Sequence, residues 1–85
     1  MLKVSIRQLK AARALVGWSQ RDLADASGVS LPTIKRLEMG DGELGGRQQT
    51  GELLISALEK AGAIFVEQNG EGPGVRLRKQ RTSLA

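Results

Sequence analysis

Ser5, Ser19 and Ser30 are each followed downstream by a glycine, at Gly17, Gly28 and Gly40. This punctuation constrains the fold more than any other feature of the chain. A serine hydroxyl at a helix N-cap accepts a backbone N–H that the first turn leaves unpaired. Ser5 has Gln8 three residues on, which makes a capping box, and Ser19 has Asp22 in the same place. Val4 with Leu9, Trp18 with Leu23 and Val29 with Ile34 stand at the positions of hydrophobic staples. The glycines suit the left-handed residue that follows a helix. The pattern predicts helices at about 5–16, 19–27 and 30–39. Connections this short force steep crossings rather than a parallel bundle.

The apolar spacing agrees with these helices. Ile6, Leu9 and Val16 share a face of the first, Leu23 and Ala24 face inward from the second, and Ile34 and Leu37 do so from the third. Residues 40–49 are glycine-rich and polar and read as a flexible connector. A fourth helix is expected at about 50–61, with Thr50 as its cap and Gly62 as its stop. Its buried stripe is Leu54, Leu58 and Ala61, widened by Leu53 or Ile55. The period then changes. Ala63 to Glu67 is β-branched and aromatic, Asn69 to Gly74 is a turn, and Val75 to Lys79 alternates with period two, which together read as a β-hairpin. The expected architecture is mainly α, a compact four-helix domain over residues 1–62 with a C-terminal β-hairpin at 63–79 and a frayed tail at 80–85.

Composition removes whole classes of chemistry. The 85 residues include no cysteine and no histidine, so disulfides, the usual zinc sites and imidazole-based triads are out of reach. No cofactor and no metal is expected. Ser5, Ser19 and Ser30 read as caps rather than nucleophiles, and Trp18 as a staple rather than a stacking platform. Gly40-x-Gly42-x-x-Gly45 matches a dinucleotide fingerprint in form, but it follows a helix and not a strand. Asp41 and Glu43 lack the rest of a calcium loop. No apolar run approaches a membrane span and the N-terminus does not resemble a signal peptide, so a cytoplasmic, nucleoid-associated protein without enzymatic activity is expected.

Charge is unevenly spread. Residues 1–36 hold seven basic and two acidic side chains, and residues 37–71 hold two basic and seven acidic. Residues 72–85 add Arg76, Arg78, Lys79 and Arg81. Two basic segments flank an acidic one, which fits either a face built for an anion or a solvated surface. For Arg76, Arg78 and Lys79 the choice between a phosphate contact and a solvated strand face stays open.

Residues 18–38 are the informative stretch. Leu23, Ala24, Val29, Ile34 and Leu37 lock a helix-turn-helix, and Leu31, Pro32, Lys35 and Arg36 remain outward on its second helix. A short helix with a basic outer face fits the DNA major groove. In Ser19-Gln20, Leu23-Ala24, Gly28-Val29-Ser30, Thr33-Ile34 and Glu38 the chain resembles the phage repressor/Cro-like helix-turn-helix family of bacterial regulators, over roughly residues 5–61. The resemblance implies a bundle of four or five helices that binds double-stranded DNA. It implies that Gln20 binds a phosphate and braces the recognition helix, that Leu31 and Pro32 reach base edges first, and that Thr33 contacts the backbone. Lys35 and Arg36 would reach bases or backbone deeper along the helix, and Arg13 and Glu38 would pair. Arg21 and Ser30 complete the expected DNA-contacting set. Leu31 and Pro32 depart from the pattern, since neither side chain can hydrogen-bond a base, and Arg47 is the one candidate for a loop contact to phosphate.

The expected function is a sequence-specific regulator, a repressor acting as a homodimer. Ile64, Val66, Val75 and Leu77 are the expected dimer contacts, because a two-stranded ribbon is not stable alone. The competing arrangement folds the hairpin back onto its own fourth helix, with the dimer formed elsewhere or only on DNA. The alternative function is an antitoxin-like module that binds a protein partner such as a toxin and also DNA.

Overall fold

A computed structural model describes residues 4–44, 48–67 and 70–79. Gly45, Arg47, Asn69 and the expected tail at 80–85 lie outside the described residues. The chain forms α1 (Ile6–Leu15), α2 (Gln20–Ser27), α3 (Leu31–Glu38), α4 (Gln48–Lys60), β1 (Ala63–Val66) and β2 (Gly74–Leu77). It is mainly helical, with a two-stranded antiparallel hairpin at its C-terminal end.

The first three helices begin where their caps dictate. Ser5 and Ser19 each accept from the backbone N–H three residues on, while Gln8 and Asp22 return the bond to the cap's own N–H. Gly28 closes α2 in the left-handed conformation at φ 79°. Gly40 does not do the same for α3, contrary to the punctuation. Met39 ends that helix in right-handed geometry, and the Gly40 N–H reaches back three residues to the Leu37 carbonyl. That shorter bond tightens the last turn without a left-handed residue, and the positive φ falls later, at Gly42.

The connector is not free over its described part. Ile6 N–H donates to the Gly42 carbonyl at 2.8 Å and Leu44 N–H to the Val4 carbonyl at 2.9 Å, around a bridge of Ser5 with Glu43. Leu44 packs on the core and lies over the buried Gly51, where a Cβ would sit 3.4 Å from its side chain. With the chain already folded back at Leu44, α4 starts at Gln48, and Thr50 lies inside it rather than capping it. The buried stripe of α4 is Leu54, Ala57 and Leu58; Ala61 is half-buried and Leu53 exposed.

One core runs through all the elements. Leu9, Ala12, Leu23, Ile34, Leu54 and Leu58 are fully buried, and Ala63 and Phe65 of the hairpin join the same cluster. Burying apolar surface at about 25 cal/mol per Å² is the main favourable term in a domain of this size. In the hairpin Ala63 pairs with Leu77, Ile64 with Arg76, Phe65 with Val75 and Val66 with Gly74. Side chains of directly opposed residues share a face, and faces alternate along a strand. Ala63, Phe65, Val75 and Leu77 therefore lie on the face turned to α1 and α4, and Ile64, Val66 and Arg76 on the other. The four residues expected to make one dimer contact are divided between the two faces, two on each. The hairpin folds back onto its own helices, so Phe65 supplies the support that the ribbon cannot supply itself.

Candidate nucleic-acid interface

The outward face of α3 is set by its inward one. Ile34 and Glu38 are buried, and Leu31, Thr33 and Leu37 half-buried. Pro32, Lys35, Arg36 and Met39 are left exposed, three or four residues apart and so on one stripe. Met39 is 87% exposed and extends that stripe past the last helical residue. The same three-and-four spacing in the sequence could have found it. Ser30 caps the N-terminus, accepting from the Thr33 N–H, and its hydroxyl donates to Thr33 Oγ1 at 2.8 Å. That bond fixes both hydroxyls at the entry of the helix. Pro32 sits in the first turn, where a missing N–H costs nothing. Arg21 is exposed in the first turn of α2. Lys35, Arg36 and Arg21 make no ion pair among the described residues.

A buried carboxylate holds this stripe in place. Arg13 donates through Nε to Glu38 Oε2 and through Nη2 to Oε1, both at 2.8 Å, in a two-pronged pair. Its Nη1 also donates to the Trp18 carbonyl at 3.0 Å. Gln20 Nε2 donates to Glu38 Oε1 at 2.9 Å, and Lys10 Nζ to the Glu38 backbone carbonyl at 3.3 Å. Glu38 thus ties the end of α3 to α1 and to the start of α2, and Arg13 adds the loop between those two helices. Cations at a helix C-terminus also meet the negative end of its dipole. Burial alone would push the Glu38 carboxyl up, but hydrogen bonds from Arg13 and Gln20, with the charges of Arg13 and Lys10, more than offset it and hold the group below the usual carboxylate range. The bond to Glu38 likewise raises the Arg13 guanidinium, against the opposing effect of burial.

Apart from Arg21 and Ser30 at the starts of α2 and α3, the sequence-predicted residues fall in three settings. Pro32, Lys35 and Arg36 share the exposed stripe, with Leu31 and Thr33 at its edge. Arg13, Gln20 and Glu38 meet in the clamp, and the amide that Gln20 would offer a phosphate is directed at Glu38. Ile64, Val66, Val75 and Leu77 lie on the hairpin. Gln8, which the sequence marked only as a box partner, and Lys10, which it did not single out, prove to be tertiary anchors. Among the described residues there is no cluster of three acidic side chains able to hold a metal, and no helix is long and apolar enough to cross a membrane.

A capped recognition helix, a tight glycine turn before it and a buried clamp behind it define a DNA-binding helix-turn-helix. The family model described as Helix-turn-helix matches residues 9–61, more than half of the chain, and the chain belongs to this family, in its Cro/C1-type, phage repressor-like form. Comparison with curated proteins gave no match.

Proposed function

We propose that the protein is a sequence-specific repressor that binds double-stranded DNA as a homodimer, with α3 in the major groove. The observation that carries this reading is the unpaired, exposed stripe of Pro32, Lys35, Arg36 and Met39 on a helix that the Glu38 clamp holds rigid. Lys35 and Arg36 are the base-reading candidates, with guanine as the natural acceptor for each. Leu31 offers an apolar contact to a thymine methyl. Arg21, Ser30 and Thr33 face backbone phosphates from the two helix starts, and Gln20 acts mainly by bracing α3. No step calls for a cofactor. The setting proposed is the cytoplasm, on the nucleoid.

One recognition helix spans few base pairs, so two copies on half-sites about 34 Å apart are needed for useful specificity. Ile64 and Leu77 are the hairpin side chains left 37% and 44% exposed, and they are the proposed apolar contacts of the dimer. Val66 and Val75, both half-buried, support them from the two faces. The hairpin is a two-stranded sheet, so each strand keeps one open edge. Those edges favour a second reading, an antitoxin-like module that takes a strand of a partner such as a toxin.

Selection of bound sequences from random DNA tests the main reading. The expected result is a two-fold symmetric site. Lys35→Ala or Arg36→Ala should then cost about 1–3 kcal/mol and relax one position in each half-site. Recovery of unenriched sequences would refute the reading.

A further inference from the structure

We infer that the β2 side of the hairpin's outer face, at the rim of the dimer contact made by Ile64 and Val66, is a second DNA-contacting surface, in which Arg76 and Arg78, with Lys79 beside them, hold phosphates outside the groove segment read by α3. The inference rests on the DNA-binding reading but concerns different residues, and the two can fail separately.

The register settles where these cations stand. Arg76 lies opposite Ile64, on the face turned away from Phe65 and the core. The Arg78 N–H donates to the Gly62 carbonyl at 2.7 Å, so the pairing continues past Leu77 and carries Arg78 to the same face as Arg76. The rest of that face is Ile64, Val66 and Gly74, with no acidic residue among them. Arg76, Arg78 and Lys79 are all exposed, and none makes an ion pair among the described residues. A row of unpaired cations on a fixed surface is complementary to a polyanion.

The surface is fixed because the hairpin is anchored twice. Ala63 and Phe65 enter the core from its inner face. Gln8 Nε2, from α1, donates to the carbonyls of Val66 at 3.2 Å and Gly74 at 3.1 Å, while its Oε1 accepts from the Ser5 N–H. The cations are therefore held on a rigid body with α1, to which Arg13 also ties the end of α3. The whole domain is 44 Å in its longest extent, which at 3.4 Å per base pair is about 13 base pairs of duplex. The hairpin and α3 therefore lie within about that length of each other.

Anisotropy titrations of the full chain on two duplexes carrying the selected site test the inference, one trimmed to about 16 base pairs that just hold both half-sites and one of about 30. On the long duplex, which holds two copies, Arg76→Ala/Arg78→Ala removes four cations and is expected to flatten the slope of log K against log salt by about 3.6, from about 0.9 for each phosphate neutralised. Its preference for the site over a scrambled duplex should stay that of the wild type, Arg76→Lys/Arg78→Lys should restore the slope, and the short duplex should show a smaller change. Should the double alanine variant lose its circular dichroism, Arg78→Ala alone is read instead, with an expected change of about 1.8 for the two copies. A wild-type slope and affinity for the alanine variant on the long duplex would overturn the inference and direct the search for an occupant to an acidic protein. Arg36→Ala on the same duplexes reports on α3 separately, through lost discrimination.

Discussion

The two ends of α1 hold two different things by two different kinds of bond. Toward its C-terminus, Arg13 grips the carboxylate at the end of α3. Near its N-terminus, Gln8 grips the backbone carbonyls of the hairpin. The first anchor is ionic, specific to one side chain, and buried on the carboxylate side. The second is neutral and addressed to main-chain atoms, which any sequence in the strands would present. The helix-turn-helix is thereby oriented by chemistry that a single substitution can strand, while the hairpin depends mostly on what Phe65 buries. A charged anchor fixes a geometry tightly and fails abruptly; an apolar anchor with neutral bonds tolerates loss of any one bond.

The largest expected effect tests whether the hairpin is part of the core or an appendage. Phe65 is 7% exposed and clusters with Leu9, Leu54 and Leu58. Phe65→Ala should cost about 3–5 kcal/mol, a large share of what a domain of this size has to lose. Circular dichroism melts should show one transition moved to lower temperature. Two separate transitions, with the helices melting at the wild-type temperature, would make the hairpin an appendage.

Glu38→Ala should cost less, about 2–3 kcal/mol, because Arg13 is 21% exposed and can partly return to water. The loss should be accompanied by weaker DNA binding, since α3 loses its tie to both α1 and α2. Wild-type stability for Glu38→Ala would break the contrast between the two anchors. Gln8→Ala comes next, at about 1–2 kcal/mol. The Val66 and Gly74 carbonyls remain opposed in the strand ladder after its loss, so only their second bonds go. Hydrogen exchange should speed up in β1 and β2 and at the Ser5 amide, and not in α2 or α3.

How far these anchors were legible in the sequence follows from the range of their bonds. The caps of α1, α2 and α3 act over three residues, so Ser5, Ser19 and Ser30 could be assigned from the text of the chain alone. The exposed positions Lys35 and Arg36 followed from a single helical period. The pairing of Arg13 with Glu38 came only through resemblance, because nothing local links residues 25 apart. Gln8 shows the limit most clearly. Its role toward Ser5 is local and was visible, and its role toward Val66 and Gly74 spans 58 and 66 residues and was not. The same limit explains the hairpin. Alternation marked Val75 and Leu77 as one face, but which face of β1 they share depends on register, and register depends on a turn the sequence leaves undetermined. Thr50 lies inside α4 rather than at its cap, and the contact of Leu44 over Gly51 at that end of the helix is one that no capping rule contains.

The smallest effect is the sharpest test of the ionic anchor, because only one of the two anchors responds to protons. Glu38 is held below the usual carboxylate range, near 4.3 for an unperturbed glutamate. A group whose pKa is lowered on folding lends stability above its unfolded value and loses it as pH falls through the folded one. Arg13, raised on folding, stays charged throughout the acid range and adds no pH dependence there. Gln8 does not titrate. Glu38→Gln keeps the shape of the side chain and removes the proton site, so at pH 7 it should melt about 5 °C below the wild type, a loss on the order of 1 kcal/mol for a domain of this size. As pH falls below about 4.3 the wild type gives up the same contribution and the two melting curves should converge. Gln8→Ala should run parallel to the wild type over the whole range. A constant gap between wild type and Glu38→Gln down to pH 2 would mean that Arg13 holds the carboxyl by geometry alone, with its charge contributing nothing.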